Sequence, residues 1–280
     1  MSIKKVGLII DGTRDCWIAE ALAEREIDVL IYDQSRNNTA TILSPIETIL
    51  DQKLSKWGIT QSEKKVILSH IKLVNDLESL HGVDFLIESV GNEIEAKKDL
   101  INQLDRICPK ELIIASNTCI FCASKIAEDV AHPDRVIGLH FQEELVEIIP
   151  GERTSEFTLK KTKDFVESIG KTGISATNDN GLISMRLILP LMNEAFTILQ
   201  EGRATAEEID QTMKKGFGFK FGPIETADRL GLHHVLLAME QMYELTKDAR
   251  FRPSPWLVSR AKACNLADKR MNSDKEEIHS

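Results

Sequence analysis

Short apolar runs and amphipathic stretches alternate along the first two thirds of the chain. Val6–Ile10 and Val29–Tyr32 are strand-like runs, and Ile18–Arg25 between them has helical character. Strand, helix, strand at this spacing is a βαβ opening. Residues 45–80 read as helical, Pro45–Trp57 and then Thr60–Leu73 after a break at Gly58. Thr60-Gln-Ser-Glu63 has the spacing of a capping box. Val83–Glu88 predicts a strand, Glu93–Ile107 an amphipathic helix closed by Cys108-Pro109, and Glu111–Ala115 another buried strand. A helix over 119–130, one over Leu159–Ile169 and a strand at Thr172–Ala176 complete the alternation. The pattern predicts an α/β fold with a doubly wound sheet over residues 1–177. Beyond the hinge-like Asn178-Asp179-Asn180-Gly181 only helical periods follow, at Leu182–Gln200, Ala206–Lys215, Ile224–Glu244 and Pro255–Asp268. Residues 178–280 therefore read as an all-α C-terminal domain. Thr205-Ala-Glu-Glu208 is a second capping-box spacing, Gly202 stands where a helix would stop, and the polar tail begins at Ser273.

Within this pattern Val136–Phe141 and Leu145–Ile149 stand out as two strands separated by very few residues. If the turn is tight and centred on Glu143–Glu144, His140 lies directly opposite Glu147. Opposed residues of an antiparallel pair share a face, with Cβ atoms about 5 Å apart. A histidine held by a carboxylate has a fixed tautomer and a raised proton affinity, which suits a general base. The alternative is a surface His–Glu pair. Asp33, at the end of the second strand, sits where nucleotide-binding βαβ units keep an acid for the adenosine ribose; a turn cap is the competing reading.

Composition narrows the field. The formal net charge is −9, which argues against nucleic acid or a membrane surface as a partner. The longest apolar run, Leu182–Leu191, is too short and too interrupted to span a bilayer. The first apolar run stops at Asp11, so it reads as a strand rather than an export signal, and a cytoplasmic protein is expected. The five cysteines, at 16, 108, 119, 122 and 264, form an odd, sparse set expected to be free thiols. Cys119 and Cys122 make a lone C-x-x-C with no second pair to complete a tetrahedral metal site, so packing is the expected role and no metal is expected.

Several motifs then occur in one order: Ala115-Ser-Asn-Thr118, Pro133-Asp-Arg-Val-Ile-Gly-Leu-His-Phe141, Leu145-Val-Glu-Ile-Ile149, Gly202-x-Ala-Thr-Ala-Glu-Glu-Ile-Asp210, Phe221-Gly-Pro-Ile-Glu-Thr-Ala-Asp-Arg-Leu-Gly-Leu232 and Arg250-Phe-Arg-Pro-Ser-Pro255. The chain resembles the 3-hydroxyacyl-CoA dehydrogenase family, including its short-chain 3-hydroxybutyryl-CoA members, over nearly its whole length. The resemblance implies a Rossmann-like dinucleotide-binding domain followed by a helical substrate and dimerisation domain. It implies an NAD-dependent oxidoreductase of fatty acid metabolism, acting on an acyl-CoA substrate as a homodimer. His140 would take the proton of the 3-hydroxyl, Glu147 would orient His140, and Ser116 would contact the substrate oxygen. Gly12, Asp33 and Lys97 would contact the cofactor.

Four departures bear on that implication. The family's G-x-G-x-x-G aligns with Ile10-Asp-Gly12-Thr-Arg-Asp15, which keeps only Gly12. Ile10 replaces the glycine of the tight turn, and Asp15 brings a negative charge towards the expected pyrophosphate. Two unit charges about 5 Å apart repel by roughly 3 kcal/mol at an effective dielectric near 20; Arg14 is placed to compensate. Met185 stands where the family has a substrate-binding asparagine, and methionine cannot donate that hydrogen bond. The family's Asn-Pro loop between the histidine and the glutamate is missing. Asn92 replaces an acid on the nicotinamide side, and the usual Gly-Arg-Lys-x-Gly ending gives way to Leu266-Ala-Asp-Lys-Arg-Met. Three readings stay open: an active NAD-dependent dehydrogenase, a dehydrogenase-like protein that binds acyl-CoA or a partner without redox turnover, and a non-redox enzyme that reuses the His–Glu pair. The acyl group and the choice between NAD and NADP are not legible.

Overall fold

The computed structural model describes residues 3–91 and 93–263. Asn92, Cys264, the Leu266–Met271 ending, the end of the last predicted helix and the tail from Ser273 lie outside the described residues. The chain divides into two compact units, Met1–Asp179 and Asn180–Ser280.

The first unit is built on one eight-stranded sheet in the order β3-β2-β1-β4-β5-β6-β7-β8, where β1 is Lys5–Ile10, β2 Asp28–Asp33, β3 Ile71–Val74, β4 Phe85–Ser89, β5 Ile113–Asn117, β6 Val136–Phe141, β7 Leu145–Pro150 and β8 Thr172–Ser175. Strands β3 to β6 pair in parallel, β6 and β7 pair antiparallel, and β7 and β8 are again parallel. The central strands read as near-continuous apolar runs because helices cover both faces of a parallel sheet. Val6, Leu8, Val29, Ile31, Phe85, Ile87 and Leu139 are fully buried among them. Helices α1 (Cys16–Ala23), α2 (Thr39–Ser55), α3 (Gln61–Ser69), α4 (Ile94–Ile107), α5 (Ala123–Ile126) and α6 (Glu156–Ser168) complete the unit.

Three expectations for this unit are corrected. Ile71–Val74 was expected to continue a helix and is instead β3, paired with β2 at the sheet edge. Its four residues are too few for a period-2 pattern to stand out beside the apolar repeat of α3. The helix expected over 119–130 is reduced to the single turn α5, because the Thr118 hydroxyl takes the Phe121 N–H at 3.1 Å and forms a turn first. Helix α2 starts before Pro45: Asn38 accepts the Thr41 N–H at 2.9 Å as its N-cap.

In the second unit α7 (Ile183–Gln200) ends at Gly202, whose φ is +66°. Helix α8 (Ala206–Gln211) opens on the capping box formed by Thr205 and Glu208 and runs into a π turn at Thr212–Gly216. The long helix expected over Ile224–Glu244 is two, α9 (Pro223–Leu230) and α10 (Leu232–Thr246), parted by Gly231 at φ +86°. A left-handed residue cannot lie inside an α-helix. Residues 255–263 are helical.

One buried ion pair fixes the start of the strand that carries His140. Arg135, 2% exposed, donates from Nη2 to the Asp105 carboxylate on α4 at 2.8 Å and to the Leu112 carbonyl from Nη1 at 3.2 Å. Asp105 also accepts the N–H groups of Ala131 and His132 at 2.8 and 3.2 Å. Burial pushes the Asp105 carboxyl upward, but Arg135 and these N–H groups outweigh it and hold the group below the usual carboxylate range. Asp105→Ala leaves Arg135 buried without its partner and is expected to cost about 3 kcal/mol in urea unfolding at pH 7. Because the folded value is the lower one, this contribution is present above about pH 4 and is lost as the pH falls through the folded value. A loss under about 1 kcal/mol at pH 7 refutes the account.

Candidate active site

Strands β1, β2, β4, β5 and β6 all end on one edge of the sheet, and the strand order reverses at β1, which lies between β2 and β4. Open α/β sheets bind ligands in the crevice at such a switch point. The candidate residues gather along this edge in four groups.

The first is the β1–α1 turn. Ile10 is 1% exposed and remains in the strand, paired with Asp33 and Ser89, so its side chain enters the core instead of making the turn. The reversal falls to Gly12, whose φ is +80°. A Cβ at Gly12 would meet nothing within 4 Å, so the glycine is required for its backbone angle and the approach to it is open. The Gly12 N–H donates to Asp33 at 2.8 Å. Asp33, 6% exposed, further accepts from the N–H groups of Ser35 and Asn37 and the Asn37 side-chain amide. Burial opposes its charge, but these hydrogen bonds prevail and keep the carboxyl ionised below its ordinary range. Gly12 and Asp33 are thus brought together, and a glycine with free space over its Cα beside an ionised acid is a pair that could hold the adenosine half of a dinucleotide, in exchange for hydrogen bonds the two already make.

Asp15 forms the second group. It occupies the N-cap position of α1 yet makes no side-chain cap bond. Its carboxylate instead accepts the Ser89 hydroxyl of β4 at 2.6 Å. The charge that replaces the third glycine is therefore anchored across the gap between β1 and β4.

The third group is buried. Lys97 on α4 and Glu88 at the end of β4 are both fully buried and pair at 2.9 Å. Glu88 also accepts the Ser116 hydroxyl at 2.5 Å and the Val90 N–H at 2.7 Å, while Lys97 donates to the Asn117 carbonyl at 2.9 Å. Ser116 and Lys97 meet each other through Glu88 beneath the edge, and both side chains are fully buried. Glu88 is a residue that sequence reasoning misses; its signal is a charge ending an apolar strand that is buried on both faces.

The fourth group is the hairpin. Gln142 N–H donates to the Leu145 carbonyl at 2.8 Å, closing a turn over Glu143 and Glu144, and His140 pairs with Glu147 in the ladder. The two side chains share a face, but Nδ1 of His140 lies 3.7 Å from Oε1 of Glu147, beyond direct hydrogen bonding. The Gln142 amide lies beside the pair. Its Nε2 is 3.2 Å from Glu147 Oε1 and 3.5 Å from His140 Nδ1. Residues two apart on a strand share a face, so the hairpin register alone could have pointed to Gln142. Lys171 clamps the turn from outside, donating to the Glu143 carbonyl at 2.5 Å while its Nζ lies 5.6 Å from the Trp17 ring centre.

Asn117 joins these groups. Its carbonyl accepts from Lys97, its side-chain amide donates to Ser89 at 2.8 Å, and its Oδ1 accepts the Phe141 N–H, next to His140, at 3.3 Å. Among the described residues no group of three or more His, Cys, Asp or Glu is arranged to hold a metal, and no helix is long and apolar enough to cross a membrane.

Residues 5–180 match the model of the 3-hydroxyacyl-CoA dehydrogenase NAD binding domain and residues 181–273 that of the family's C-terminal domain. The chain is 34% identical over 274 residues to the probable 3-hydroxybutyryl-CoA dehydrogenase of Bacillus subtilis, covering 96% of each. It is 30% identical over 270 residues to the 3-hydroxybutyryl-CoA dehydrogenase of Clostridioides difficile, covering 95% of this chain and 96% of that one. Among solved structures, the (S)-3-hydroxybutyryl-CoA dehydrogenase of Ralstonia eutropha superposes with a TM-score of 0.83 at 32% identity, over 94% of each chain.

The cysteines near the turn are free. Burial, reinforced by Asp15, pushes the Cys16 thiol up to about 11, and burial pushes Cys119 up to about 11 against the opposing pull of Lys97. At pH 8 about one such thiol in a thousand is ionised. Native protein is therefore expected to react with a disulfide reagent at both positions on the order of a hundredfold more slowly than a free thiol, with the rate rising as the pH approaches 11. Rapid modification of Cys119 at pH 8, mapped by mass spectrometry, contradicts this.

Proposed function

The chain belongs to the 3-hydroxyacyl-CoA dehydrogenase family, and from that premise we propose that it oxidises the 3-hydroxyl of a short acyl-CoA to a ketone with NAD. The observation that carries this reading is the ladder pairing of His140 with Glu147 on a closed hairpin at the carboxyl edge of the sheet. Oxidation of a secondary alcohol removes a proton from oxygen and a hydride from carbon. When bound, NAD supplies the acceptor for the hydride. His140, only 14% exposed and backed by the buried Glu147, is the group that takes the proton; the growing imidazolium charge is stabilised by the carboxylate behind it.

Gly12 and Asp33 hold the adenosine half of the cofactor, through the bare glycine backbone and the carboxylate at the end of β2. Ser116 contacts the substrate oxygen and Lys97 the cofactor in this reading, and Glu88, which bonds to both, holds them together beneath the edge. The binding-only reading draws on Asp15, whose carboxylate spans to Ser89 where the pyrophosphate path of related sheets runs. In our reading this contact weakens cofactor affinity without abolishing it. The expected homodimer belongs to this proposal as well: Leu187 and Phe217 of the helical unit are exposed at 70% and 71%, apolar surface that association would cover.

The deciding assay is NAD reduction with 3-hydroxybutyryl-CoA. Turnover is expected, and His140→Ala is expected to lower kcat by about a hundredfold to ten-thousandfold with NADH affinity unchanged. No reduction with any 3-hydroxyacyl-CoA at millimolar NAD would refute the dehydrogenase reading. Asp15→Gly removes the misplaced charge and is expected to tighten NADH on the order of tenfold by calorimetry. Unchanged or weaker binding shows that the turn is not what limits the cofactor.

A further inference from the structure

The hairpin that carries His140 turns through three consecutive backbone carbonyls, and the two residues that lead from α6 into β8 take all three. Lys171 donates from Nζ to the Gln142 carbonyl at 3.4 Å and to the Glu143 carbonyl at 2.5 Å. The Thr172 N–H donates to the Glu144 carbonyl at 2.9 Å. We propose that Lys171 is a positioning residue for proton transfer: its ammonium, seated on the Gln142 and Glu143 carbonyls, holds the turn and with it the strand that presents His140. An ammonium carries three hydrogens and accepts none, so one lysine can serve two carbonyls at once. Trp17 of α1 faces the same charge, its ring centre 5.6 Å from Nζ and within reach of a cation–π attraction. That ring also meets Phe141, the neighbour of His140, edge to face with centres 6.4 Å apart. Lys171 and Trp17 thus grip the hairpin at its turn and at the residue beside the base.

Geometry, rather than stability, is what this contact supplies. Burial pushes the Lys171 ammonium down from the usual lysine value against the pull of Glu144 and Glu20, and Arg25 and Lys53 act in the same direction as burial. The charge therefore adds little net stability where it sits. Gln142 is half-buried and Glu143 and Glu144 are exposed, so water would hydrate the turn carbonyls if the amine were removed. A hydrated turn has no fixed anchor. The consequence for the reaction rests on the dehydrogenase reading: a reacting group displaced by about 1 Å can lose on the order of a hundredfold in rate. The loss of Lys171 is thus felt in turnover and not in folding.

Amide hydrogen exchange of the full-length protein without cofactor, resolved by NMR, reads the clamp directly. Lys171→Met keeps the chain and removes the donor. Its Gln142 N–H, bonded to the Leu145 carbonyl, and its Phe141 N–H are expected to exchange on the order of tenfold faster than in wild type, with the urea midpoint nearly unchanged. Lys171→Ala gives the same readout if the methionine variant does not fold. Unchanged exchange in a folded variant overturns the proposal. The kinetic arm is separate: Lys171→Met is expected to lower kcat for 3-hydroxybutyryl-CoA oxidation about tenfold with KM and NADH affinity unchanged, and Lys171→Arg to keep most of the rate. In Lys171→Ala, added ethylammonium is expected to slow the exchange and raise kcat. Tetramethylammonium, a cation with no N–H, is expected to do neither, and rescue by both cations or by neither overturns the hydrogen-bonded seat. Faster exchange with kcat unchanged overturns the positioning role. Faster exchange in the variant, with no NAD reduction even by wild type, leaves the clamp standing and refutes the dehydrogenase reading instead.

Discussion

The carboxyl edge of this sheet rests on one charge pair that water does not reach. Glu88 and Lys97 are both fully buried, and each also bonds to the same short segment, Ser116 for the acid and the Asn117 carbonyl for the base. Removing either charge would strand the other in a low-dielectric interior, at a cost of several kcal/mol. Such a pair is a poor source of net stability compared with apolar packing. Its value here is directional. It fixes the backbone at Ser116–Asn117, from which the Asn117 side chain reaches Ser89 on one side and the Phe141 N–H on the other. The strand bearing His140 is thus tied to the strand facing the glycine turn.

The glycine turn shows how a fold tolerates the loss of residues that usually define it. Ile10 cannot make the tight reversal, so the strand runs on and Gly12 alone adopts the left-handed angle. Asp15 would repel a pyrophosphate if it pointed along the helix axis. It is turned onto Ser89 instead, and the acid at the end of β2 is saturated by backbone donors. Both carboxylates therefore serve the architecture of the edge as well as any ligand. A dinucleotide arriving here competes with hydrogen bonds the protein already makes, whereas a glycine-rich turn presents unoccupied N–H groups.

Hairpin geometry makes the same point for the acid–base pair. Closing the turn over Glu143 and Glu144 keeps His140 opposite Glu147. The closure also pulls Gln142 onto the shared face, and Lys171 and Trp17 brace the turn from the far side.

Much of this was legible in the chain itself. Alternating apolar and amphipathic segments predict the parallel sheet and the helical second unit, because side-chain periodicity is a local property of strands and helices. The His140–Glu147 register followed from counting across one short turn, again a local constraint. Local patterns failed where length or backbone geometry intervened, at the four-residue β3, at the single turn α5 and at the Gly231 break between α9 and α10. Only the tertiary structure decided the hydrogen-bond partners of Ser116, Lys97 and Asp15. Their partners lie on other strands and helices, and Asp15 and Ser89 are 74 residues apart. Hydrogen bonds of that reach depend on how the sheet orders its strands, and a periodic pattern carries no record of which side chains the folded edge will bring face to face.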